Sequence, residues 1–102
     1  MKLTKFENRV MVSLRKIPYG KVTTYQAIAN YLGEKGGARA VGNACHKNPL
    51  APVVPCHRVV RSDGKIGGYA KGVKQKMKLL RSEDVLIYRG KVVNFKDKLF
   101  SY

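Results

Sequence analysis

Thr23-Thr24-Tyr25-Gln26-Ala27-Ile28-Ala29-Asn30-Tyr31-Leu32-Gly33, followed across Gly36-Gly37 by Ala38-Arg39-Ala40-Val41-Gly42-Asn43-Ala44-Cys45-His46-Lys47, is the stretch that decides the fold. Thr23 with Gln26 has capping-box spacing, Thr24 being the alternative cap. Tyr25, Ile28, Ala29 and Leu32 share one helical face, and Gly33 stops the helix. Gly36-Gly37 breaks the chain, and a second helix runs from Ala38 to about Lys47, where Asn48-Pro49 ends it. Two short helices joined by a glycine-containing turn are the elements of a helix-turn-helix, whose second helix enters a DNA groove. Ala38, Ala40, Gly42 and Ala44 carry almost no side chain, so this helix can approach another surface closely while Arg39 projects from it. Composition alone leaves DNA contact and tight packing in a core equally open.

Upstream, Leu3, Phe6, Val10, Met11 and Leu14 recur at helical intervals and predict an amphipathic first helix ending before Pro18. Downstream, Asn48 to Val54 is a stiff loop holding Pro49 and Pro52. Val53-Val54-Pro55-Cys56-His57-Arg58-Val59-Val60 then reads as a buried strand or extended segment interrupted by reactive groups. Pro55 fixes its own φ and stiffens the entry to Cys56. A thiol becomes a strong nucleophile beside a cation or base, and His57 and Arg58 are the candidates. Sequential neighbours on an extended segment point to opposite faces, however, and a small buried Cys beside a satisfied His is the alternative.

Ser62-Asp63-Gly64-Lys65 predicts a turn closing a small hairpin between Val59-Val60 and Ile66. Gly67-Gly68-Tyr69-Ala70 is a permissive loop. Val73, Met77 and Leu80 mark a fourth helix, with Lys74, Lys76, Lys78 and Arg81 expected outside it. Val85 to Tyr88, Arg89-Gly90 and Lys91 to Phe95 make a second hairpin, the wing of a winged helix. The residues that follow, through Tyr102, suggest no element, and neither a repeat nor a linker is visible.

The chain has 102 residues, room for one domain with a modest core. It carries 21 Lys+Arg against 6 Asp+Glu, a net charge of +15 spread along its whole length. That balance points to a polyanion, and nucleic acid is favoured over membrane because no apolar run approaches the ~18 residues of a span. A solvated lysine-rich surface of thermophile type is the plain alternative. Cys45 and Cys56 are too few for a disulfide framework, and Met1-Lys2-Leu3-Thr4-Lys5 lacks a signal-peptide core. An intracellular location is expected, cytoplasmic and nucleoid-associated in a prokaryote. Cys45-His46 and Cys56-His57 could supply four zinc ligands, but their spacing fits neither a knuckle nor a helical His pair, so no metal is expected.

Pro55-Cys56-His57-Arg58-Val59 resembles the alkyl-acceptor motif of the O6-alkylguanine-DNA alkyltransferases, or methylated-DNA-protein-cysteine methyltransferases. Thr24 to Ala29 and Ala38 to Ala44 resemble the family's DNA-binding helices, and Asn48-Pro49-Leu50 its hinge. Gly67-Gly68-Tyr69 and Lys78-Leu79-Leu80-Arg81-Ser82-Glu83 match in the same order, so the resemblance runs from about Phe6 to Tyr88. It implies a mainly α, winged helix-turn-helix-like domain with one or two short β-hairpins. It also implies repair of flipped-out O6-alkylguanine, and of O4-alkylthymine as a second substrate, by irreversible transfer of the alkyl group to Cys56 in a suicidal single turnover. No cofactor is implied. The partner is double-stranded DNA, bound through its minor groove by a monomer.

By the same resemblance His57 is the base, acting through water, with Glu83 orienting it, and Tyr25 donates to the leaving guanine. Arg39 fills the vacated base stack, and Ala38, Ala40, Gly42, Asn43, Ala44, Thr24 and Arg58 complete the DNA-binding set. Asn48, Pro49, Val59, Tyr69 and Ala70 form the pocket and hinge. On composition alone Glu83 is a surface carboxylate near a helix end and Tyr25 a core ring.

The family commonly carries an N-terminal domain, and here few residues precede the first helix, so one domain over residues 1–102 without it is expected. Ala70 and Lys71 stand where family members often carry small polar or glycine residues, which bears on the size of alkyl group accepted. Alkyltransferase-like proteins that bind lesions without transfer typically carry tryptophan at the acceptor position, and this chain has none. Such a lesion-binding module that recruits repair factors is the alternative function. A winged-helix transcription regulator would explain the charge but leave Pro55 to Arg58 and Glu83 without a role.

Overall fold

The computed structural model describes residues 2–34 and 37–102. Helix α1, Lys5–Leu14, starts at a capping box in which Thr4 accepts from the Glu7 backbone and Glu7 reaches back to Thr4. A short strand, β1 (Thr23–Thr24), leads directly into α2 (Tyr25–Leu32). Thr24, not Thr23, is the N-cap, its Oγ1 accepting the Ala27 amide at 3.0 Å. Gly33 closes α2 in the left-handed region.

Gly37 then gives the close approach that the helix pair needs. A Cβ there would lie 2.8 Å from the Glu34 Cβ and 2.9 Å from the Glu34 carbonyl oxygen. The Gly36 half of the predicted break lies outside the described residues. Helix α3, Ala38–His46, follows.

Val10 and Leu14 of α1, Ile28 and Ala29 of α2 and Val41 and Ala44 of α3 form the main core, and Cys56 and Val59 belong to it. Each fully buried Val, Leu or Ile side chain among them contributes roughly 1.5–3 kcal/mol. The acceptor segment therefore rests directly on the helix-turn-helix.

Two expectations for that segment are corrected. Cys56–Arg58 is a single 3-10 turn, not extended chain. The Cys56 amide donates to Val54 O at 2.9 Å and the Arg58 amide to Pro55 O at 3.0 Å, so the backbone curls immediately before and at the thiol.

Val59–Val60, strand β2, makes no hairpin with Ile66. It pairs in parallel with β1, Thr23 against Val59 and Thr24 against Val60. The predicted tight turn is present, with Arg61 N–H donating to Lys65 O at 2.8 Å. Beyond it, however, the chain pairs with a later segment: Ile66 N–H donates to Gly90 O at 3.0 Å. Pairing β1 with β2 sets the first residue of α2, Tyr25, beside the acceptor turn.

Helix α4, Val73–Ser82, is followed by the predicted second hairpin, β3 (Ile87–Tyr88) and β4 (Lys91–Val92), turning through Arg89-Gly90 with both φ angles positive. That pair of positive φ values is the requirement of a two-residue hairpin turn, which the glycine meets at no steric cost. Ile87 and Val92 face a second apolar cluster with Val22, Val60, Ile66, Leu80 and Val85. The segment that suggested no element forms α5, Phe95–Lys98, and then returns to the start of the domain. Val22 N–H donates to Lys98 O at 2.9 Å and Phe100 N–H to Val22 O at 2.7 Å. Tyr102 stacks on Tyr31 with ring centroids 4.4 Å apart. The whole is mainly α with two small sheets, a winged helix-turn-helix-like arrangement.

Candidate functional site

With about three residues per turn, the 3-10 segment fans Cys56, His57 and Arg58 around one axis. Cys56 and His57 are buried, at 4% and 1% exposure. Glu83, just past the end of α4, collects the other two side chains. Its Oε2 lies 3.1 Å from His57 Nε2, and Arg58 donates to it from Nε and Nη2, each at 2.8 Å. The remaining Arg58 bond, Nη1 to Ile17 O at 2.7 Å, ties this network to the chain after α1. Arg58 was expected on DNA, but the structure turns its guanidinium inward as a two-pronged clamp on Glu83.

Burial would raise the Glu83 carboxyl, but hydrogen bonds from Arg58 and His57 outweigh it and hold Glu83 below its usual range. Burial also lowers His57, although Glu83 pulls the other way. His57 is therefore a neutral imidazole near pH 7 whose Nε2–H faces an ionised carboxylate. Its Nδ1 is left as the basic nitrogen, buried and without a hydrogen-bond partner among the described residues.

Near Cys56 stands a residue that was expected outside α4. Lys76 is fully buried. Its Nζ donates to Val59 O at 2.7 Å, to Gly68 O at 3.1 Å and to Tyr25 Oη at 3.5 Å. Burial lowers it to about 8, with Cys45 and Cys56 opposing. Burial likewise pushes the Tyr25 phenol well up, and it raises Tyr69 to about 12 with the neighbouring Cys56 adding to the shift. The sequence did carry a signal for Lys76: Val73, Lys76, Met77 and Leu80 fall on one helical face.

Tyr25, Cys45, His46, Cys56, Gly68, Tyr69 and Ala70 enclose a cavity of about 10 Å³, room for a single water. Burial raises Cys45 to about 12, with Cys56 adding to it. Lys71 Nζ donates to Ala51 O at 2.9 Å, joining the loop over this cavity to the proline-rich loop. Asn48 holds the latter, donating from Nδ2 to Val54 O at 2.7 Å and accepting the Leu50 amide at 2.9 Å. Pro49 beside it is exposed, and Val59 is buried with its carbonyl on Lys76.

Outside the cavity lies an open groove of about 620 Å³. Arg39, Gly42, Asn43 and His46 line it at helical spacing along one face of α3, with Ala38 at the start. Gln26, Arg61, Ser62, Asp63 and Gly67 complete the groove, and Tyr25, His46 and Gly68 line both the groove and the cavity. Two residues predicted for this surface are elsewhere: Ala44 is in the core, and Thr24 is spent on capping α2. Ala40 is exposed but does not line the groove. His46, Arg61 and Asp63 were missed; the i, i+3, i+4, i+7 spacing of Arg39, Gly42, Asn43 and His46 would have found the first.

Residues 5–85 match the family described as 6-O-methylguanine DNA methyltransferase, DNA binding domain. Among curated relatives, the bifunctional transcriptional activator/DNA repair enzyme Ada of Escherichia coli is 49% identical over 80 residues, which is 78% of this chain and 23% of Ada. The chain spans about half the length of relatives named methylated-DNA–protein-cysteine methyltransferase, for example 48% of that of Mycobacterium bovis. The crystal structure of Mycobacterium tuberculosis OGT in complex with DNA superposes with a TM-score of 0.78 at 46% identity, covering 80% of this chain and 51% of that one. Schizosaccharomyces pombe Atl1, in complex with damaged DNA containing O6-carboxymethylguanine, superposes with a TM-score of 0.86 at 33% identity, covering 100% of both chains. The chain belongs to the 6-O-methylguanine DNA methyltransferase family, through that family's DNA-binding domain.

Proposed function

We propose that this chain, acting inside the cell, repairs duplex DNA by moving the alkyl group of a flipped-out O6-alkylguanine onto Cys56. The observation that carries the reading is the arrangement around the thiol. Cys56 opens the turn whose next residue is a neutral imidazole held by an ionised carboxylate, and it shares its small cavity with the half-buried Tyr25 phenol, to which the Lys76 ammonium donates.

His57 Nδ1 takes the thiol proton through water, its tautomer fixed by Glu83 at Nε2. The sulfur then attacks the alkyl carbon; an S–C bond forms, the C–O6 bond breaks, and its electron pair stays on the guanine. Tyr25 Oη supplies a proton to the departing base, and the Lys76 ammonium 3.5 Å away stabilises the phenolate left behind. The thioether is not cleaved again, so each molecule reacts once.

Flipping costs a few kcal/mol in lost stacking and pairing. Arg39 enters the vacated stack, a role supported by its exposure on the groove face of α3. A cavity with room for one water cannot hold a guanine, so the 67–72 loop must move when the base enters.

Intact-mass spectrometry after incubation with an O6-methylguanine duplex tests the proposal. One methyl is expected on Cys56, abolished in Cys56→Ala with duplex binding retained. The full-length superposition on Atl1 favours a second reading, lesion binding without transfer. Tight lesion binding with no mass gain would establish that reading against the first, and a methyl on Cys45 would overturn Cys56 as the acceptor.

A further inference from the structure

The matched family region ends at residue 85, and the β3–β4 hairpin lies beyond it. Tyr88 pairs with Lys91 across this hairpin, and Lys91 is bridged on its other side to Lys65. Directly opposed residues in a sheet project from the same face, so Tyr88, Lys91 and Lys65 form one row. All three are exposed, while Ile87 and Val92 take the face packed on the core.

The bonds flanking Lys65 and Lys91 run from Ile66 N–H to Gly90 O and from Val92 N–H to Gly64 O. That makes the two lysines a non-hydrogen-bonded pair, the arrangement that brings opposed side chains closest. Like charges so placed destabilise a sheet. Arg89, 5.4 Å above the Tyr88 ring, and Arg61, bonded to the backbone of Lys65, extend the row at both ends. None of these four cations forms an ion pair among the described residues. The Asp63 carboxylate near Arg61 and Lys65 accepts the Lys65 amide instead. Arg61 also lines the groove that contains Arg39, so the row continues that groove onto the wing.

We infer that the Arg61–Lys65–Lys91–Arg89 row is a phosphate-contact surface that holds the DNA backbone beside the lesion, its Lys91 and Arg89 half lying beyond the family's matched region. It rests on the DNA-binding reading of the groove. The local repulsion between Lys65 and Lys91 is relieved when the polyanion binds, and counterions released from the phosphates drive the contact.

The test is affinity for unmodified duplex as a function of salt. Each lost phosphate contact lowers the slope of log K against log[salt] by about 1. Lys65→Ala with Lys91→Ala should therefore flatten the slope by about 1–2, whereas Lys16→Ala, a like charge loss at the end of α1, should leave it close to wild type. Lys91→Glu sets a carboxylate opposite Lys65, so it should raise the melting temperature while weakening duplex binding. An unchanged slope in the double variant, or an equal change in Lys16→Ala, would overturn the inference. Methyl transfer to Cys56 is read separately: its failure with a flattened slope rejects the repair reading alone, and its success with an unchanged slope rejects the wing contact alone.

Discussion

Glu83 Oε2 lies 3.1 Å from His57 Nε2, across 26 residues of sequence, and the same carboxylate is held by Arg58 through two bonds of 2.8 Å. The ring of His57 is thereby fixed in direction and tautomer before any substrate arrives, which is the part of a Cys-His-acid arrangement that the acid supplies.

Glu83→Gln separates orientation from packing. Its side-chain amide can donate to Nε2 and so permit the other tautomer, in which Nδ1 carries the proton and no longer accepts one. Transfer should slow on the order of 10²-fold with a shifted pH–rate profile, and stability should fall by about 1–3 kcal/mol as Arg58 loses its anionic partner. A fall in stability with an unshifted profile would make Glu83 structural.

Arg58→Lys tests the clamp. A lysine cannot reproduce two parallel bonds to one carboxylate plus a third to Ile17 O. The variant keeps the charge, so duplex affinity should stay near wild type while stability drops by about 1–3 kcal/mol and transfer slows. Loss of duplex affinity with normal thermal unfolding would return Arg58 to the DNA surface.

The contrast between Arg58 and Arg39 shows what a sequence can and cannot carry. The helix pair was legible because caps, glycines and apolar spacing are local signals, and Arg39 stayed on the exposed face that its helical phase assigns. The direction of Arg58 depends on a carboxylate at the far end of another helix, which no local pattern contains. Lys76 was misread for a related reason: its charge outweighed its phase, although Val59 O and Gly68 O were waiting for a donor. Val59-Val60 has the composition of a strand, but its partner was set by the approach of Thr23-Thr24, not by the nearer Ile66.

Arg39→Ala should slow repair in duplex DNA much more than transfer from free O6-benzylguanine, since the side chain lines the outer groove and not the inner cavity. Parallel rate measurements on the two substrates check this. Equal losses would remove Arg39 from base extrusion.

Lys76 gives a prediction in which stability and activity move in opposite directions with pH. Its folded-state value is about 8 against 10.5 for the free side chain, so between these pH values the unfolded chain holds more protons than the native one. Native stability attributable to Lys76 therefore rises with pH from about 8 to 10.5, by roughly 3 kcal/mol at 1.36 kcal/mol per unit. Below pH 8 the charged form carries that cost. In the proposed mechanism transfer has the opposite demand, because only the ammonium can stabilise a Tyr25 phenolate. The wild-type transfer rate should accordingly fall above about pH 8 while the Lys76 contribution to stability climbs. Lys76→Met should be slow at pH 7, lack that alkaline fall, and lose the rise in stability, while its stability drops overall because Val59 O and Gly68 O are left without a donor. Tyr25→Phe should also remove the alkaline fall in rate but keep the pH-dependent stability, which resides on Lys76. Transfer rates and denaturant midpoints of the three proteins from pH 7 to 10 decide the matter: a Lys76→Met protein with the wild-type alkaline limb would show that the limb belongs to another group.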